Sequence, residues 1–236
     1  MIDHIGQMPS VAAKKFKNKE ALFFEGQSFT FEQLSKLIEK FSSSLSSLGI
    51  KEKDVVTLYA SNSWEWIVSY FSIARIGAII NPVNTMLTPS EIKHVVNDCK
   101  AKAIIMSADK VKAIINIKNE TSVNTFISFG NAPEGTESFN NLIETEIKPI
   151  KMPNINPEDL STIGYTSGTT GHPKGAMQSH KSVIINGAMT SQLHMRGPED
   201  VIVSALPCPH VYANVLMTGM MMFGTKLVLH QTFDPL

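Results

Sequence analysis

Short apolar runs alternate with capped, amphipathic segments along most of the chain, and this alternation restricts the fold more than any other feature. The runs at 55–59, 103–106 and 125–129 carry aliphatic and β-branched residues without polar alternation, which suits strands buried on both faces. Between them stand helix-start signals. Thr30-Phe31-Glu32-Gln33 and Thr88-Pro89-Ser90-Glu91 both have capping-box spacing, in which the Thr hydroxyl and the Gln or Glu side chain satisfy free helix amides. The first predicts a helix to about Leu48, with Leu34, Leu37, Ile38, Phe41, Leu45 and Leu48 at helical intervals and Gly49 as its stop. Its serine run, Ser42 to Ser44, reads as the solvated face.

The same reasoning predicts helices over 10–16, 64–76, 89–99 and 109–117, and strands over 21–25, 28–30 and 78–81. Gly26-Gln27 makes the turn of a hairpin between the first two of these strands. Residues 130–157, with Gly, Pro, Asn and Glu, read as a connecting segment. Alternation then resumes with strands over 160–165, 175–179, 201–205 and 225–229 and helices over 180–195 and 212–223. Such order indicates an α/β fold with largely parallel sheets flanked by helices. A first α/β part, residues 1–157, is followed by a part, 158–236, that carries the most distinctive stretch.

That stretch is Tyr165-Thr166-Ser167-Gly168-Thr169-Thr170-Gly171-His172-Pro173-Lys174-Gly175. Gly168 and Gly171 permit close backbone approach, four hydroxyls can donate to oxygen, and Lys174 adds a mobile positive charge. Successive amides in such a loop form an anion-binding concavity, so the chemistry it suits is gripping a polyphosphate. A Walker loop needs Gly before its lysine and Ser or Thr after it, whereas Pro173 precedes Lys174 and Gly175 follows it. The glycine spacing also fails the dinucleotide pattern. The bland alternative is a polar surface loop.

The stretch resembles, without a gap from Tyr165 to Gly175, the signature loop of the AMP-forming adenylating enzymes, which include acyl-CoA synthetases, luciferases and peptide-synthetase adenylation domains. The resemblance implies that Thr166, Ser167, Gly168, Thr169, Thr170, Gly171 and Lys174 bind the β- and γ-phosphates of ATP. His172 falls at a variable position and receives no role. The blocks 59–77 and 78–91 are similar to early blocks of fatty-acyl-CoA ligases.

A second constellation, Leu206-Pro207-Cys208-Pro209-His210-Val211-Tyr212-Ala213-Asn214, resembles the block that borders the acyl pocket. By that resemblance His210 is a catalytic candidate that positions the acyl carboxylate against the α-phosphate; the alternative is a helix-start histidine satisfied by local backbone. Ala213 stands where the family commonly has glycine and is expected to trim the pocket. Cys208 has no evident base beside it and reads as a packed small residue. Met217, Met220, Met221 and Met222 read as core filling, with an adaptable acyl lining as the alternative. His180 and Lys181 are within sequence reach of phosphate but read as a helix start, and Trp64 and Trp66 as packing residues.

Composition removes several classes. The formal net charge is zero over 236 residues, which offers no basic face for nucleic acid. Two cysteines, Cys99 and Cys208, give neither a disulfide framework nor a metal-ligand spacing, and point to a reducing, cytoplasmic setting. No signal peptide or transmembrane run is apparent; peripheral membrane contact and homo-oligomerisation are left open.

The resemblance implies an ATP-dependent fatty-acid–CoA ligase with ATP, Mg²⁺ and CoA as its small molecules and a fatty acid or similar carboxylate as substrate. It also places the Mg²⁺-binding glutamate, the ribose-binding aspartate and the catalytic lysine beyond Leu236, so no metal ligand is expected here. On that reading the chain is the N-terminal part of an adenylation domain, deliberately made or truncated. Three outcomes stay open: a piece of an active ligase, a non-catalytic phosphate-binding fragment, or a subunit completed by a separate C-terminal chain.

Overall fold

The structure is a computed structural model that describes residues 2–130, 132–166 and 173–233. Its elements follow the expected alternation. Helix α1 (Met8–Phe16) leads into the hairpin β1 (Glu20–Phe24) and β2 (Gln27–Thr30). Next come α2 (Phe31–Ser47), β3 (Val55–Tyr59), α3 (Trp64–Arg75), β4 (Ile79–Pro82), α4 (Pro89–Asp98), β5 (Ala103–Met106), α5 (Ala108–Asn116) and β6 (Thr125–Ser128). Both capping boxes form as the sequence predicts, with Thr30 and Gln33 closing α2 and Thr88 and Glu91 closing α4.

A seven-stranded sheet has the order β7-β6-β5-β3-β4-β8-β9, where β7 is Glu137–Ser138, β8 is Leu160–Thr166 and β9 is Lys174–Ser179. Its pairs are parallel except β8–β9, a hairpin that runs antiparallel. Every residue of β3 and β5 is buried, because alternate residues enter two cores. Val56 and Leu58 join a cluster with α2 and α3, while Val55 and Tyr59 join one with α4 and α5. This is the doubly covered sheet that continuous apolar runs require.

A second sheet has the order β10-β11-β1-β2, with β10 (Val201–Ser204) and β11 (Lys226–Leu229) parallel to β1. Helices α7 (His180–Leu193) and α8 (Val211–Phe223) complete this region. Because β1 pairs β11 and β4 pairs β8, both sheets draw strands from either side of residue 157.

Two expectations are corrected. Ser42, Ser43 and Ser44 are buried, not solvated. Their hydroxyls bond back into the helix, to Ile38 O (2.5 Å), Glu39 O (3.0 Å) and Lys40 O (3.2 Å), and Ser44 Oγ also donates to Leu142 O (2.6 Å). Small side chains that satisfy themselves on their own backbone let neighbouring elements approach closely. The stretch 130–157 is more than a connector: it contains β7 and α6 (Phe139–Glu144). Phe139 is fully buried and packs with Phe41, Phe129 and Trp64 at ring-centroid distances of 4.5, 5.3 and 5.7 Å.

Candidate active site at the carboxyl ends of β4 and β8

The hairpin β8–β9 presents the distinctive stretch at the carboxyl end of β8. Thr166 and Lys174 are register partners at its open end, so the two described ends of the loop face each other. Both are exposed. The expected phosphate ligands Ser167, Gly168, Thr169, Thr170 and Gly171 lie outside the described residues.

Beside this end lies a cavity of about 480 Å³. Thr162, Gly164 and Thr166 of β8 form one wall, with Ala176 and Gln178 of β9. Pro82 and Asn84, at and just past the end of β4, form a second wall, and residues 207–211 with Asn214 form the third. Open α/β sheets place ligands at such carboxyl ends. The cavity brings Thr166 and His210 to one site; Lys174 is the register partner of Thr166 but does not itself line the cavity.

His210 is the N-cap of α8: its Nδ1 accepts the Tyr212 N–H at 3.2 Å. The local reading of His210 therefore holds, and it is compatible with the site reading. An imidazole that accepts through Nδ1 carries its proton on Nε2 when neutral, which fixes it as a donor. Cys208 is buried, its N–H donates to Asn62 Oδ1 at 2.6 Å, and burial pushes its thiol up to about 12. It is a packing residue, as expected. Ala213 is buried and does not line this cavity; Val211 and Asn214 do, so the trimming expected at Ala213 is not seen here. Met217, Met220 and Met221 fill the core.

His180 does not approach the loop. It sits at the opposite end of the hairpin, buried, where its Nδ1 accepts the Ile5 N–H at 3.3 Å and its ring meets His4 at 5.8 Å. Lys181 pairs with Glu158.

Several positioning residues fall inside the resembled blocks but take no role from them. Asn62 ties three strands of chain together: its Nδ2 donates to Leu206 O (2.9 Å) and His230 O (3.0 Å), and its Oδ1 receives the Cys208 N–H. Asn214 Nδ2 donates to the hydroxyl of the fully buried Tyr70 at 2.6 Å, and Thr162 also bonds that hydroxyl. Burial pushes the Tyr70 phenol up to about 12, so it stays neutral. Asn81, buried in β4, accepts from Thr57 Oγ1 (2.9 Å) and donates to Ile163 O (2.8 Å). An asparagine inside an otherwise apolar strand is the one signal that could have found Asn81, since burying an amide demands partners.

The AMP-binding enzyme family model matches residues 10–236. The chain belongs to the AMP-binding enzyme family. The chain is 30% identical over 218 residues to the indoleacetate–CoA ligase of Aromatoleum aromaticum, covering 92% of this chain and 43% of that protein. It is 31% identical over 237 residues to 4-coumarate–CoA ligase CCL1 of Humulus lupulus, covering 93% of this chain and 42% of that protein. Among solved structures, the anthranilate CoA ligase AuaEII in complex with anthranoyl-AMP superposes with a TM-score of 0.89 at 26% identity, covering 98% of this chain and 45% of that one. A long-chain-fatty-acid–CoA ligase from Archaeoglobus fulgidus gives a TM-score of 0.92 at 24% identity, covering 98% and 48%, which shows the shared α/β fold. The chain thus spans about two-fifths of the length of these curated relatives.

Among the described residues, no group of three or more His, Cys, Asp or Glu is placed to hold a metal ion, and no helix is long and apolar enough to cross a membrane.

Proposed function

We propose that this chain is the N-terminal part of an ATP-dependent carboxylate–CoA ligase. The observation that supports the reading is that residues of the two resembled blocks line one cavity: Thr166, whose register partner is Lys174, on one wall and His210 on another. In the reaction a carboxylate oxygen attacks the α-phosphorus of ATP in line, pyrophosphate leaves, and the CoA thiol then displaces AMP from the acyl adenylate. Lys174, Thr166 and the intervening loop offset the charge that accumulates on the departing pyrophosphate. His210 Nε2–H donates to the carboxylate or α-phosphate oxygen and holds the two reactants in line. Mg²⁺ supplies further charge neutralisation on the phosphates, through ligands that the resemblance places beyond residue 236.

The acyl substrate proposed is a fatty acid. Aryl carboxylates are the second reading, favoured by the curated relatives at about 30% identity, whose names are those of indoleacetate and 4-coumarate ligases. The test is ATP–pyrophosphate exchange with decanoate, 4-coumarate and indoleacetate, run on this chain and on a family-length protein containing it. Exchange is expected from the longer protein with one acid class and none from the 236-residue chain, which spans about two-fifths of the curated relatives' length. Exchange by the short chain alone would refute its standing as a non-catalytic fragment. Exchange by neither, with every acid, would refute the ligase reading.

A further inference from the structure

The hairpin that carries the loop is weakly stitched to the sheet. β8 meets β4 through one ladder pair, Ile80 with Thr162, whereas the β3–β4, β3–β5 and β5–β6 pairs each have four. Side chains bridge the seam instead. Asn81 Nδ2 reaches Ile163 O at 2.8 Å. Two residues further on, the Tyr165 hydroxyl donates to Asp98 Oδ2, on the last residue of α4, and also bonds the Cys99 thiol. On the returning side of the loop, Pro173 lines a second cavity together with Asn97 and Asp98 of the same helix. The last turn of α4 therefore borders both ends of the loop.

We propose that Tyr165 and Asp98 form a latch that fixes the Thr166–Lys174 pair relative to the cavity, which makes Tyr165 a positioning residue for a nucleoside triphosphate. The inference rests on the ATP reading given above. The ring of Tyr165 is already held by packing: it belongs to the apolar cluster with Leu160 and Ile163, and a Cβ added at Gly175 would sit 3.2 Å from its Cζ. Tyr165→Phe keeps the ring and its packing and removes only the hydroxyl that bonds Asp98, so it removes the latch. Burial, and then the Asp98 carboxylate, hold the phenol protonated well above its ordinary range, so it remains the donor. Without the latch, Thr166 and Lys174 sample positions that must be reselected when phosphate binds, and affinity falls by the populated fraction.

Two measurements test this on the 236-residue chain. The first is ATP affinity by calorimetry. Tyr165→Phe and Asp98→Ala should each weaken it about tenfold, the worth of one charge-assisted hydrogen bond. Asp98→Asn keeps an acceptor oxygen and should stay within about twofold of the original. The double variant Tyr165→Phe/Asp98→Ala should bind no more weakly than Tyr165→Phe, because that change already removes the Asp98 bond. Wild-type affinity in Tyr165→Phe, additive losses in the double variant, or Asp98→Asn as weak as Asp98→Ala would each overturn the latch. The second measurement is amide exchange at Thr166 and Lys174, expected to be about tenfold faster in Tyr165→Phe and Asp98→Ala and unchanged in Asp98→Asn. If the unaltered chain binds no ATP, the phosphate reading of this chain fails while exchange still decides the latch: equal rates in all variants would end it.

Discussion

Replacing Asn62 by alanine should cost about 3 kcal/mol of folding stability, although Asn62 is no proposed ligand contact. The side chain is buried and holds three backbone groups on two separate segments. The Cys208 N–H, in a buried bond, loses its acceptor outright, which costs about 1–3 kcal/mol. The carbonyls of Leu206 and His230 are part-buried and recover some water, so each loses about 0.5–1 kcal/mol. For a domain of this size about 3 kcal/mol corresponds to a fall of roughly 6–12 °C in Tm. Urea unfolding followed by Trp fluorescence gives the free energy, and differential scanning calorimetry the Tm. Asn62→Asp keeps the acceptor for Cys208 but sets a carboxylate against two carbonyls, so it should be at least as damaging as alanine. A loss below about 1 kcal/mol in Asn62→Ala would show that water replaces the amide without penalty, and the claim that Asn62 fixes the 206–208 segment would fall.

Gly175→Ala would bring a Cβ to 2.8 Å from Ile163 Cγ2 and 3.2 Å from Tyr165 Cζ, and should destabilise by about 1–3 kcal/mol in urea; a neutral result would mean the hairpin yields freely. Ser191 Oγ is buried with no hydrogen-bond partner among the described residues, so Ser191→Ala should be neutral to about 1 kcal/mol stabilising, by thermal melting, and a clear loss would reveal a partner for that hydroxyl. Burial lowers the imidazole of His180 from 6.5 to about 4 and lowers that of His4 as well. Between those values the unfolded chain binds protons that the folded chain refuses, so stability is fully present above about pH 6.5 and declines as pH falls toward 4. His180→Gln should flatten that slope in pH-dependent urea titrations, and an unchanged slope would refute its origin in this pair. Phe139→Ala should cost about 3–5 kcal/mol, because a fully buried ring touching three others leaves a cavity; a loss under about 1 kcal/mol would mean that α6 is dispensable.

The sheet was legible because its code is local. Continuous apolar runs at β3 and β5 and capping boxes at Thr30 and Thr88 each state their element within a few residues. What failed was information held by distant partners. Ser42 to Ser44 look solvated in a helix of lysines and glutamates, yet Ser44 meets a carbonyl 98 residues away. Phe139 sits among polar residues in a six-residue helix, too short for periodicity to register. Of the candidate site, Thr166, Lys174 and His210 took expected roles from resembled blocks, whereas Asn62 and Tyr70, inside block 59–77, and Asp98 had none to take, because they act through contacts 67 to 168 residues apart in sequence.

Those long contacts explain how two blocks some 40 residues apart come to share one cavity. The loop follows β8 in the seven-stranded sheet, but His210 starts a helix whose neighbouring strands, β10 and β11, belong to the other sheet. Among the described residues no strand pair joins the two sheets, so backbone ladders alone do not set the distance between the end of β8 and His210. Buried side chains do so: Tyr70 on α3 meets Asn214 on α8 and Thr162 on β8 at one hydroxyl, and Asn62 holds the segment before His210 to the end of β3. Each of these bonds is satisfied only in one relative placement of the sheets, whereas apolar packing tolerates sliding. Specificity of placement, more than stability, is therefore what the buried amides contribute, and in the proposed ligase Tyr70→Phe should lower ATP–pyrophosphate exchange more than it lowers Tm; a fall in Tm with unchanged exchange would refute this.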